Sequence, residues 1–160
     1  MSSGLSQALD EVYETLDGSE TVRAYHDRHE TQSACILTVT DDEKADAIVS
    51  YLAPRIAGKV VVEVGAGIGL LACHLATVAR RVYAIETDPA WTDIFLAMLY
   101  HRKPPNLTFI FGRAEDAPHI PADVALFCTH SGHTALWQVA SRFAPTVIDV
   151  YAKMGYRGIG

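Results

Sequence analysis

Hydrophobic positions along this chain follow two periods, and the switch between them lays out the fold. Leu5, Leu9, Val12 and Leu16 stand at helical spacing and predict an amphipathic helix over residues 5–16. "DGSE" then breaks the pattern, and the stretch from Thr21 to Val39 is polar, rich in His and Arg, and carries no period that assigns it. Thr40 with Glu43 forms a capping box, and Ala45, Ile48, Val49 and Leu52 line one face. They predict a helix that ends before Pro54 and Gly58.

Beyond that helix, short β-branched runs alternate with helical stretches. "KVVVEV", "RVYAIE", "NLTFIFG", "ADVALFC" and "TVIDVY" read as strands. "GLLACHLATVA" and "TALWQVASRF" read as helices, as does the stretch to His101 that Asp88 caps and Pro89 opens. Strands alternating with helices predict an α/β fold, a doubly wound parallel sheet covered on both faces. In such a fold, ligands lie at the carboxyl ends of the strands.

The first crossing from strand to helix reads "VVVEVGAGIGL", with glycines at alternate positions 65, 67 and 69. Glycines there permit backbone angles that side chains forbid, and they leave room for a ligand against the turn. A dinucleotide fold wants a third glycine at position 70, which is Leu70. Glu63, just before the turn, sits poorly beside a pyrophosphate and suits a cationic ligand. Glu86 ends the second strand, where a carboxylate accepts hydrogen bonds from ribose hydroxyls.

Composition narrows the picture. A chain of 160 residues predicts one domain, and 49% hydrophobic residues supply a core. No apolar run approaches the roughly 18 residues that span a bilayer, and the N-terminus lacks the features of a secretion signal. Cys35, Cys73 and Cys128 fit neither a disulfide framework nor a metal site, so a reducing cytoplasm is the expected setting. A formal charge of -6 argues against a large nucleic-acid footprint.

"VVVEVGAGIG", "VYAIETDP" and "FIFGRAEDAP" together resemble the first three motifs of the class I S-adenosylmethionine-dependent methyltransferases, over residues 40 to 150. The resemblance implies a Rossmann-like methyltransferase fold with residues 40–160 as the cofactor-binding domain. Residues 1–39 are then an N-terminal helix and a segment that either folds over the cofactor, as in the family, or is a solvated polar connector. It implies that Gly65, Ala66, Gly67 and Gly69 hold the methionine part, that Glu63 orients its amino group, and that Glu86, with Thr87 beside it, binds the ribose. The family often has an Asp after the glycine of the third motif. This chain has Arg113 there, and the Ala114 backbone and Glu115 side chain are expected to take over the adenine contacts.

Methyl transfer from a sulfonium is an in-line substitution, so the protein mainly positions the acceptor and excludes water. "FCTHSGHTALW" follows the fourth strand, and it is not the "NPPY"-type motif of enzymes that methylate exocyclic amines or glutamine amides. His130 and His133 are the candidate bases there. Tyr25, His26, His29, Glu30 and Gln32 form a second polar cluster within the N-terminal segment. Trp91 and Trp137 lie in apolar helical patterns and are expected in the core. Cys73 and His74 fall inside a buried helix and receive no functional role.

The family's sheet usually has two strands beyond the fifth, so this sheet reads as truncated; its edge is covered by a second copy in a homodimer, which is the expectation, or by the N-terminal helices, or the chain is a compact member with an open substrate site. The expected function is a methyltransferase acting on a small molecule or a protein side chain, with no metal and no membrane. The alternative is a non-catalytic regulatory or structural subunit that binds the same cofactor. A nucleic-acid methyltransferase would need a basic surface from Arg23, Arg28, Arg102, Lys103 and Arg157.

Overall fold

The computed structural model describes Val39 and residues 42–129 and 133–154. In chain order the elements are α1 (Asp42–Ile56), β1 (Val60–Val64), α2 (Leu70–Leu75), β2 (Arg81–Glu86), α3 (Pro89–Arg102), β3 (Leu107–Phe111), a 3-10 turn (Ala114–Asp116), β4 (Val124–Phe127), α4 (His133–Ala140), β5 (Thr146–Asp149) and α5 (Val150–Lys153). The strands form one parallel sheet in the order β3-β2-β1-β4-β5. This is the Rossmann-like α/β architecture, and the expected helix over residues 5–16 lies outside the described residues.

Alternation along the strands divides the core into two layers. Val61, Val82, Ala84, Val124, Leu126 and Ile148 face one layer, filled by the apolar sides of α1, α2 and α3. Val62, Val64, Ile85, Ala125 and Phe127 face the other, where α4 contributes Val139 and Ala140. Phe95 of α3 stacks on Phe109 of β3 with ring centroids 4.2 Å apart. Being parallel, the sheet places every strand start on one rim and every strand end on the opposite rim.

Four boundaries differ from the sequence expectation. Helix α1 runs through Pro54 to Ile56. Pro54 leaves only the Ser50 carbonyl without its helical donor, Ser50 is exposed to water, and fully buried Ile56 holds the last turn. Helix α2 stops at Leu75, because Asn106 Nδ2 takes the carbonyls of Ala76 and Ala79 and the Thr77 hydroxyl takes that of His74. Helix α4 ends at Ala140, where Arg142 and Phe143 bond back three residues and tighten the chain out of the helix. Strand β5 ends at Asp149, whose carboxylate accepts the Ala152 N–H at 3.1 Å and turns "VYAK" into α5.

Candidate functional site

The glycine turn between β1 and α2 is left-handed at all three glycines, with φ of 74° at Gly65, 59° at Gly67 and 81° at Gly69. The reasons for glycine differ along it. A Cβ at Gly69 would lie 2.7–2.8 Å from three ring atoms of buried Phe95, so that position serves packing. A Cβ at Gly65 would lie 3.3 Å from the Thr129 methyl, where the end of β4 crosses the turn. The turn's amides have partners inside the protein: Gly65 and Ala66 N–H both donate to the Ile85 carbonyl, and Gly69 N–H to that of Ala66. Because α2 has only six residues, its dipole adds little.

Glu86 ties the turn to the end of β2. Its Oε1 accepts the Gly67 N–H at 2.7 Å, and its Oε2 accepts those of Thr87 and Asp88 at 2.8 and 2.9 Å. A carboxylate offers about four acceptor positions, so one on Oε1 has no partner among the described residues. Burial pushes the Glu86 carboxyl above its ordinary range; the three N–H groups oppose that shift and the nearby Asp88 charge adds to it.

Glu63 is the most unusual side chain of the site. It is 2% exposed, and its Oε1 has no hydrogen-bond partner among the described residues. Burial, and then the charge of Glu86, push its carboxyl well above the usual range. By strand alternation Glu63 and Glu86 both face the α1–α3 side of the sheet. Cys73 and Cys128, the described cysteines, are buried on the same side with their thiols pushed up to about 12, mainly by burial. Such thiols are unreactive at neutral pH; Cys35 lies outside the described residues.

A cleft of about 290 Å³ opens beside the turn, near the lower end of the roughly 300–1,000 Å³ typical of ligand pockets. Val64, Gly65, Ile85 and Thr87 form one wall, Gly112 to Glu115 another, and Leu136 and Val139 of α4 a third. Arg113 is 67% exposed on its side chain, with Nε 3.4 Å from Glu115 Oε2 and 4.0 Å from Asp116 Oδ2. Such an exposed pair is weak in water and leaves Arg113 able to reorient.

The sequence-chosen residues therefore converge on one rim but in two groups. Gly65, Thr87, Arg113, Ala114 and Glu115 line the cleft. Glu63 and Glu86 stand behind the turn, and Gly67 is bonded to Glu86. Sequence reasoning missed Gly112, Leu136 and Val139; the signal for the last two was their spacing on the apolar side of α4. His133 is the first residue of α4. His130 and the cluster from Tyr25 to Gln32 lie outside the described residues. Trp91 is buried as expected, but Trp137 is 47% exposed, edge-on to Phe127 at 6.4 Å, because Val139 and Ala140 already occupy the helix face that meets the sheet.

His74 is also richer than expected. Its Nδ1 lies 2.7 Å from Asp46 Oδ1 and its Nε2 2.6 Å from Asp42 Oδ1, and Arg102 also donates to Asp42. This cluster joins α1, α2 and α3 away from the cleft.

No protein-family model matches the chain, and no curated protein matches it in sequence. Solved structures do match. A proposed RNA methyltransferase from Pyrococcus horikoshii is 20% identical with a TM-score of 0.58, over 68% of this chain and 59% of that one. A precorrin-6y C5,15-methyltransferase from Geobacter metallireducens is 18% identical with a TM-score of 0.56, over 68% and 59%. M. jannaschii TYW2, solved in complex with AdoMet, is 23% identical with a TM-score of 0.55, over 64% and 47%. The chain has the Rossmann-like fold of the S-adenosylmethionine-dependent methyltransferases. The matched regions make up 47–59% of the length of these three structures.

Proposed function

We propose that the carboxyl rim binds S-adenosylmethionine and that the chain is a methyltransferase acting on a small molecule or a protein side chain. The observation that carries this reading is the set of buried carboxyl groups gathered behind the glycine turn. Glu63, Glu86 and Asp88 are all buried there, and one Glu63 oxygen is unpartnered among the described residues. A pyrophosphate would be repelled from such a turn, whereas a ligand with an ammonium and a sulfonium group complements it. The donor set fits the rest of that ligand: the remaining acceptor position on Glu86 for a ribose hydroxyl, and apolar walls with Ala114 and Glu115 for an adenine.

When bound, the cofactor supplies an activated methyl group. The chain's own residues do the positioning. Glu86 fixes the Gly67 turn relative to β2, and Leu136 and Val139 keep water from the apolar wall of the cleft. His133, at the start of α4, and His130 just before it are the candidate bases for an acceptor that must lose a proton. The matched structures are named for RNA in one case and for a precorrin in another, so the fold leaves the acceptor to the site.

Calorimetric titration with S-adenosylmethionine and with S-adenosylhomocysteine tests the reading. Binding to the wild-type chain is expected, and Glu86→Ala should weaken it by about 1–3 kcal/mol, roughly fivefold to 150-fold. A wild-type chain that binds neither ligand overturns the proposal. Binding without transfer of labelled methyl to any fraction of a cell extract would instead identify a non-catalytic subunit.

A further inference from the structure

We propose that the amino rim of the sheet, opposite the cleft, is a docking surface for single-stranded nucleic acid. The proposal goes beyond the cofactor reading and does not depend on it. Every connection that enters a strand on this rim, except the one before β4, brings at least one exposed cation. Arg55 lies in the last turn of α1, Lys59 just before β1, Arg80 and Arg81 at the start of β2, Lys103 between α3 and β3, and Arg142 between α4 and β5. All six are exposed, and none forms an ion pair among the described residues. Of the carboxylates nearby, Asp42 is paired with Arg102 and bonded to His74, while exposed Asp123, whose Oδ2 accepts the Val60 N–H at 2.9 Å, interrupts the run of cations before β4.

Helix dipoles account for part of this pattern, since cations favour helix C-termini, as at Arg55 and Lys103. They do not account for Arg80 and Arg81, which lie at the start of β2 beyond the short α2. The backbones of these two and of Lys59 are tied together. Arg80 and Arg81 N–H both reach the Lys59 carbonyl, at 2.9 and 3.4 Å, and Asn106 Nδ2 binds the Arg80 carbonyl at 3.3 Å. The Arg81 guanidinium donates to the Tyr83 hydroxyl at 2.9 Å and to Thr108 Oγ1 at 2.8 Å. Both partners are neutral, so the charge stays uncompensated while its direction is fixed, which lowers the entropy cost of binding an anion.

The partner's chemistry follows from what accompanies the cations. Four of the six are arginines, whose planar forks match phosphate oxygens. Together with Lys59 and Lys103 they stand at the entries to β3, β2, β1 and β5, along one rim of the sheet. Aromatic faces stand among them. Tyr100 is 73% exposed, with Lys103 Nζ 5.5 Å from its ring centre, and Arg81 lies 5.1 Å above the Tyr83 ring. A cationic track with interleaved aromatic rings binds single strands by phosphate contact and base stacking. A five-residue strand holds this rim about 17 Å from the cleft, so the docked strand acts as an anchor and not as the methyl acceptor.

Fluorescence anisotropy of the full chain with a labelled oligouridylate, in cofactor-free buffer from 50 to 300 mM salt, tests the proposal. Binding is expected, with log affinity falling linearly in log salt. Lys59→Ala with Arg80→Ala should make that slope shallower by about 1.4, and Tyr100→Ala should weaken binding about tenfold. Lys153→Ala, which removes the same charge on α5, should leave binding unchanged. Thermal melting checks that each variant is folded, and Arg142→Ala is a further single variant that should reduce the slope. No binding by the wild type, equal affinity in the rim variants, or equal competition by oligoglutamate or by anionic phospholipid vesicles would each overturn the proposal.

Discussion

The two rims of this sheet share every strand yet differ in almost every physical respect. The carboxyl rim has left-handed glycines, buried carboxylates and amides already bonded inside the protein. The amino rim has exposed cations whose charges lack ion-pair partners among the described residues. The difference teaches that parallel strands sort chemistry by position in the chain. Residues just before a strand gather at one rim and residues just after it at the other, however far apart they lie in sequence.

Glycine substitutions test that contrast with the largest expected effect. Gly69→Ala drives a methyl group into the Phe95 ring and should destabilise the protein by about 3–5 kcal/mol. Gly58 on the amino rim is also left-handed, at φ 67°, but nothing lies within 4 Å of its would-be Cβ. Gly58→Ala should cost only the backbone strain, about 1–2 kcal/mol. Urea denaturation of both variants decides it, and equal losses would break the comparison.

Glu86→Ala comes next. It leaves the Gly67, Thr87 and Asp88 amides without their acceptor and should destabilise by about 2–3 kcal/mol. If stability falls but cofactor affinity does not, Glu86 is a structural bracket only.

The buried carboxyls of the carboxyl rim predict a pH signature. The Glu63 carboxyl titrates above its unfolded value near 4.5, so the folded state holds a proton that the unfolded state releases. Stability should therefore be highest below that value and fall as pH rises through the elevated folded pKa. Glu63→Gln keeps the protonated shape and should remove the fall, gaining about 1–3 kcal/mol on wild type at alkaline pH. Thermal melts from pH 5 to 9 measure it, and a parallel shift at every pH would count against the assignment.

Asp42 gives the smallest effect and the opposite sign. Burial raises its carboxyl, but hydrogen bonds from His74 and Arg102, and their charges, outweigh burial and leave it below 3.8. Its stabilisation is present above that value and lost as pH falls through the depressed folded pKa. Asp42→Asn should cost about 1–2 kcal/mol across the pH 5–9 series, and the cost should disappear only in melts taken at acid pH well below 3.8.

Much of the architecture was legible before the structure. The β-branched runs gave all five strands, and the pairing of Asp88 with Pro89 placed the start of α3. The glycine turn was legible because only glycine tolerates those angles cheaply. Helix ends were not, since the stop of α2 depends on Asn106, thirty residues beyond the Ala76 carbonyl it binds. The exposure of Trp137 was hidden as well, because an apolar helix does not reveal how much of its surface the sheet can cover. The expectation against nucleic acid rested on net charge, which says nothing of where individual cations stand.

By itself, the sequence determined the order of strands and helices, the left-handed turn and the carboxylates that flank it. Those follow from local sterics and from residue spacing along a single element. Only the tertiary structure decided that Glu63 lies buried with an unpartnered oxygen, that Leu136 and Val139 wall the cleft, and that Lys59, Arg80 and Lys103 share one rim. Burial and charge clustering arise between segments distant in the chain, and the parallel register of the sheet is what brings those segments together.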